Sequence, residues 1–124
     1  MTDIQNKEDI HFIMSEFYVK LLKDDLVKHF FEDIIKNDHL EEHLNTITDF
    51  WNAILFNAND YQRNAMHPHL VLNQTKPFKN EHFKRWLLHF TSTIDENFKG
   101  EKAEMAKTRA LSIATVMEIK MMNS

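Results

Sequence analysis

Cysteine is absent from the 124 residues, which excludes disulfides and thiolate metal sites together. Glycine occurs once and proline twice. Sheets need frequent turn punctuation, so this scarcity favours long helices with few breaks. A single glycine cannot build a glycine-rich phosphate loop, and the sparse serines have no nucleophile-elbow context. No apolar run approaches the roughly 20 residues that a membrane span needs. Residues Met1 to Glu8 lack the apolar core of a signal peptide. Lys and Arg are scattered among acids with a net charge of −4, which argues against nucleic acid as the main partner. The expectation is one compact domain over 1–124, cytoplasmic, with neither a membrane nor a nucleic-acid partner.

What the chain does hold is periodic. Ile10, Ile13, Met14, Phe17, Tyr18, Leu21 and Leu22 form the i, i+3, i+4, i+7 stripe of a helix with one buried face. Asn6 is placed to cap its start, with Asp9 three residues on in a capping-box-like arrangement. A shorter stripe follows at Val27, Phe30, Phe31, Ile34 and Ile35. A third runs from about Asp38 to Phe56 through Leu40, Leu44, Ile47, Phe50, Trp51, Ile54 and Leu55, with His43 on the same face. Residues Asn57 to Pro77 have no sustained period, although a short helix near His69 would tolerate Pro68 in its first turn. Phe83, Trp86, Leu87, Phe90, Ile94 and Phe98 make a fourth stripe, and Gly100 stands where a helix C-cap is wanted. Ala103, Ala106, Ala110, Ile113, Ala114, Met117 and Met121 make the last. The fold class is all-α.

Several constellations compete for the chemistry. "HLEEH", His39 to His43, has the H-x-x-E-H pattern of inverted zinc proteases, and its i, i+4 spacing puts both imidazoles on one helical face. The chain is far smaller than those proteases, and His43 belongs to an apolar stripe while Glu41 and Glu42 face solvent. His67 and His69 flank Pro68 and can share a metal only if extended, with no carboxylate or cysteine cluster near them in sequence. Asp24, Asp25, Glu32, Asp33, Glu41, Glu42, Glu101 and Glu104 lie at helix starts or on polar faces, where dipole complementarity and solvation account for them. More unusual are Tyr18, His43 and Trp86, polar-tipped side chains on the buried faces of three different helices. Each costs free energy if buried without a partner. Any one alone reads as an ordinary core residue that finds a carbonyl or water; three together point to a shared polar pocket in an apolar cavity.

Phe17-Tyr18, His43 followed by Trp51 in "DFW", "HLVL" at His69, "HFKRWLLHF" from His82 and "GEKAEMAKTRALSIA" from Gly100 recur in this order. The set resembles the group III truncated haemoglobins over about Ile10 to Lys120. That resemblance implies a shortened globin fold, two crossed helix pairs enclosing a haem b. It implies His69 as the proximal iron ligand, with His67 a bystander. Tyr18, His43 and Trp86 fall on the distal polar positions that meet a bound ligand, His43 and Trp86 also touching the haem. Phe17, Phe31, Ile47, Phe50, Phe83 and Phe90 fall on haem or pocket walls. As a hypothesis beyond the resemblance, Arg63 or Arg85 could pair with a haem propionate, and lysine stems could serve equally well. The loop Tyr61-Gln62-Arg63-Asn64-Ala65-Met66 departs from the family's Tyr-x-Gly-Asn-Pro-Met. The implied ligands are oxygen, nitric oxide or another diatomic. Turnover as a nitric oxide dioxygenase or peroxidase-like enzyme would need a separate reductase, since the chain has no flavin or nicotinamide motif. A non-haem metal protein and a haem-free helical interaction module remain the competing classes.

Overall fold

The computed structural model describes residues 1–34, 36, 40–56 and 79–122, and every described element is a helix. In chain order these are α1 (Lys7–Lys23), α2 (Lys28–Ile34), α3 (Leu40–Phe56), α4 (Asn80–Asn97) and α5 (Glu101–Met122). Each coincides with one of the sequence stripes. The segment Asn57 to Pro77, with Arg63, His67 and His69, lies outside the described residues, as do Ile35 and His39.

Local chemistry starts and stops the helices. Asn6 caps α1, its Oδ1 accepting the Asp9 N–H at 2.9 Å. The return bond of a full capping box is displaced by one residue, since Asp9 Oδ2 accepts from Gln5 N–H at 2.8 Å instead. His82 Nδ1 accepts the Lys79 N–H at 2.8 Å and closes the first turn of α4. The start of α5 is capped from the far end of the chain: Asp3 accepts the N–H groups of Lys102 at 2.8 Å and Ala103 at 2.9 Å. The carboxylate satisfies donors that the helix leaves orphaned and sits at the positive end of its dipole.

Gly100 has a different reason from the one expected. Helix α4 already ends at Asn97 with Phe98 as its C-cap, so Gly100 closes nothing there. Its φ is +155°, and a Cβ on it would stand 2.4 Å from the Asp3 side chain. Glycine at this point is what lets Asp3 reach the end of α5.

Helices α1 and α3 pack as one pair and α4 and α5 as another, with α1 also against α4 and α3 against α5. Helix α2 packs on α1. Ala103, Ala106, Ala110 and Ala114 make the buried stripe of α5. Such small side chains allow interaxial approach towards the lower end of the usual 8–10 Å. Phe17, Phe30, Phe31, Phe83, Phe90 and Ile94 are buried in the core.

Candidate functional site

The α1 stripe brings Phe17 and Tyr18 side by side onto the inner surface, one facing α4 and the other facing α3. Phe17 meets Trp86 edge-on at 5.7 Å and Phe90 at 5.4 Å between ring centroids. Phe90 in turn stacks on Trp86 at 5.8 Å and on Trp51 of α3 at 4.9 Å. Tyr18 is wedged between Phe31 of α2, at 5.6 Å, and His43 of α3, at 5.2 Å. Aromatic pairs in these offset and edge-to-face arrangements each add about 0.5–1.5 kcal/mol beyond area burial. The result is a rigid backing that fixes where Tyr18, His43 and Trp86 stand.

Those three side chains share one cavity of about 40 Å³, lined also by Met14, Phe17, Ile47, Phe50, Trp51, Ile113 and Met117. One water needs roughly 10–15 Å³ in this measure, so the chamber suits a diatomic molecule or a few waters. A porphyrin is far too large to enter it. The other described side chains that line it are hydrocarbon, aromatic carbon and thioether.

The polar tips have defined roles. Tyr18 Oη and His43 Nε2 are 2.5 Å apart. Burial pushes the Tyr18 phenol upward, so the proton stays on oxygen. Burial also holds His43 below the ordinary value of 6.5, so the imidazole is neutral near pH 7. Tyr18 is therefore the donor and His43 Nε2 the acceptor, which assigns the imidazole proton to Nδ1. Trp86 Nε1–H is a donor only. Among the described residues it has no hydrogen-bond acceptor.

Of the sequence candidates, Phe17, Tyr18, His43, Ile47, Phe50 and Trp86 meet at this cavity. Phe31 is buried behind Tyr18, and Phe83 is buried in the core on α4 without lining the chamber. Phe90 backs the chamber as a core ring. His69 and Arg63 fall outside the described residues. Arg85 is occupied elsewhere, with Nη1 2.8 Å from Asp24 Oδ2. Met14, Trp51, Ile113 and Met117 line the cavity although the stripes marked them only as core. Asp24 also departs from the expectation of a solvated acid, since its side chain is only 8 % exposed. Glu41 behaves as expected, pairing outward with His11 at 3.1 Å. Among the described residues no cluster of three His, Cys, Asp or Glu could hold a metal ion. No helix among them is long and apolar enough to cross a membrane.

Comparison with known proteins follows the same lines. Residues 3–123 match the family model described as bacterial-like globin. The chain is 30 % identical over 112 residues to a group 3 truncated hemoglobin of Campylobacter jejuni, covering 89 % of this chain and 86 % of that one. It also superposes on the crystal structure of a group III truncated hemoglobin from Campylobacter jejuni. There the TM-score is 0.84 and the identity 28 %, over 98 % of this chain and 95 % of that chain.

Proposed function

The chain belongs to the bacterial-like globins, and within them to the group III truncated haemoglobins; from that premise we propose that it binds haem b through His69 and captures a diatomic ligand under Tyr18 and Trp86. Membership makes it a haem-binding globin of two crossed helix pairs. The finer assignment concerns the ligand, the residues and the use made of them.

The carrying observation is a chamber of diatomic size to which, among the described residues, Tyr18, His43 and Trp86 bring the polar groups, two donors and one acceptor. The residues fit the cofactor. Ile47 and Phe50 line the chamber and are only partly covered by the rest of the protein, an apolar wall suited to a flat macrocycle. His69 would be the protein's ligand to iron, with a neutral imidazole held in its tautomer by a carbonyl. Arg63 would meet a propionate, or Arg85, whose Nη1 already bonds Asp24 in this structure.

When bound, haem supplies the iron at which a diatomic such as oxygen is taken up. The protein's part is electrostatic. Negative charge on the outer atom of the ligand would be met by Tyr18 O–H and Trp86 Nε1–H, in a chamber with largely apolar described walls. With each hydrogen bond worth about 1–1.5 kcal/mol, two donors slow escape by roughly 30- to 150-fold. Slow escape suits capture, or redox conversion of nitric oxide or peroxide, better than bulk transport. Conversion would draw electrons from a separate cytoplasmic reductase. Titration with hemin should give a Soret band in the wild type and a changed axial-ligand spectrum, with weaker retention, in His69→Ala. Tyr18→Phe should speed oxygen dissociation. A chain that stays colourless with hemin, or a spectrum indifferent to His69, refutes the assignment.

A further inference from the structure

Asp24 ends α1 with an extended backbone, φ −95° and ψ 110°, six residues beyond Tyr18. Its buried carboxylate is fully engaged. Oδ1 accepts the Leu26 N–H at 3.0 Å, while Oδ2 accepts from Arg85 Nη1 at 2.8 Å and His89 Nε2 at 2.7 Å. Arg85 and His89 are one turn apart on α4, on the flank next to the strip of Phe83, Trp86 and Phe90. One carboxylate thus fastens the end of the helix that carries Tyr18 to the side of the helix that carries Trp86. Nothing in ligand capture itself uses it.

A helix side chain stands about 5–6 Å from the helix axis, so a roll of α4 by 10° moves the Trp86 ring by about 1 Å. Hydrogen bonds to a small ligand tolerate a spread of only about 0.5 Å, from 2.7 to 3.2 Å. The ring contacts of Trp86 and Phe90 with Phe17, and of Phe90 with Trp51, resist sideways displacement of α4 but carry no directional bond against rolling. Two bonds to one fixed point, one turn apart on the helix flank, do. We propose that Asp24 is a positioning residue for the ligand chamber: through Arg85 and His89 it sets the roll of α4, and with it the place of Trp86 Nε1 opposite Tyr18 Oη. This inference rests on Tyr18 and Trp86 being the ligand's donors. Burial works to raise the Asp24 carboxyl, yet the bonds from His89, Leu26 and Arg85 hold it below the ordinary value, so it stays an acceptor for both partners. Asparagine cannot replace both oxygens, because whichever way its amide is turned an NH2 group faces either the Leu26 N–H or the donors of Arg85 and His89.

The test uses haem-loaded protein, with the infrared stretch of bound carbon monoxide and the oxygen dissociation rate as readouts. Asp24→Asn should shift or split the carbon monoxide band and speed oxygen release about 2- to 10-fold, the loss expected when one donor is misplaced. The double variant Arg85→Leu/His89→Leu should do the same, and adding Asp24→Asn to it should change nothing further. If Asp24→Asn fails to retain haem, the double variant against wild type carries the comparison. Lys20→Met, which cuts a neighbouring α1–α4 contact outside this node, should leave band and rate unchanged. A lowered melting temperature with wild-type band and rate would make Asp24 a plain stability clamp and overturn the proposal, as would additive effects in the triple variant. Trp86→Phe separates the two levels. If it moves the band and Asp24→Asn does not, the positioning role alone fails; if neither Trp86→Phe nor Tyr18→Phe moves it, the donor assignment beneath it fails.

Discussion

The inner and outer faces of the α1–α4 pair use opposite polar chemistry on the same two helices. Inside, Tyr18 and Trp86, with His43 of α3, are neutral groups at a largely apolar chamber, Tyr18 donating to His43. Outside, Asp24 with Arg85 and His89, and Lys20 with Ser92 and Glu96, are charged or charge-assisted bonds near water. The division follows from solvation. An ion in the chamber would lose far more hydration than one hydrogen bond returns, so burial keeps Tyr18 protonated and His43 neutral. At the rim, partial hydration makes ion pairs tolerable, and there the Asp24 node fixes geometry without sitting on the ligand. On the proposed reading the outer face, through Asp24, aligns the helices and the inner face meets the ligand.

The largest effect expected from breaking this arrangement lies inside. Phe17 touches Tyr18, Trp86 and Phe90 edge-on and is buried. Phe17→Ala should cost about 3–5 kcal/mol in chemical denaturation, the range for truncating a buried aromatic. A loss below 1 kcal/mol would mean that the ring network is not what fixes the chamber.

The two faces should also separate by pH. For His43 the folded value is depressed below 6.5, so the unfolded chain binds the proton first and stability falls as pH drops below 6.5. His82, also lowered by burial despite the nearby Glu81 carboxylate, contributes with the same sign. For Asp24 the depressed carboxyl contributes stability that is fully present above its ordinary 3.8 and is lost only as pH falls below that towards its folded value. The inner face should therefore weaken first on acidification and the Asp24 node last. Each proton contributes a slope of at most about 1.4 kcal/mol per pH unit. Denaturation curves collected from pH 7 to 3 should show two regimes, and His43→Leu should flatten the upper one. Superimposable curves for wild type and His43→Leu between about pH 6.5 and 4.5 would place this dependence elsewhere.

Sequence periodicity shows which face of a helix is buried but not which element lies against it, and the successes and misses divide on that line. The five stripes located the helices, and Asn6 was readable as a cap because its partner Asp9 is local. Tyr18, His43 and Trp86 could be grouped because each is a polar tip on an apolar stripe, a local oddity. Asp24 looked like one more acid at a helix end, since its partners are 61 and 65 residues away and leave no periodic trace. Gly100 was assigned to a helix end for the same reason, its true neighbour Asp3 being almost a full chain away. Met14, Trp51, Ile113 and Met117 were correctly core, but whether a core residue borders a cavity depends on packing that no stripe records. His69 was marked by Pro68 and by family resemblance, and its role stands as a proposal.

A subtler change within the chamber should act in an unexpected direction. In this structure the Tyr18 O–H is given to His43, so a ligand must compete for it. Replacing His43 by leucine removes the competing acceptor and keeps similar bulk. Tyr18 then donates to the ligand alone, and oxygen release should slow by about fivefold, the equivalent of about 1 kcal/mol. Faster release in His43→Leu would show instead that the imidazole itself holds the ligand.

The smallest effect should come from the outermost contact. Lys20 Nζ reaches Ser92 Oγ at 3.1 Å and Glu96 Oε1 at 2.7 Å, linking the same two helices as Asp24 does. The Glu96 side chain is 60 % exposed, however, against 8 % for Asp24. Water and salt screen such a pair, and the long lysine side chain loses rotamer freedom in making it. Lys20→Met keeps most of the aliphatic stem against α4 and should therefore change stability by no more than about 0.5 kcal/mol in denaturant titrations. Should it cost as much as Asp24→Asn, exposure would not be what separates the two contacts, and the ordering by burial argued for this helix pair would have to be given up.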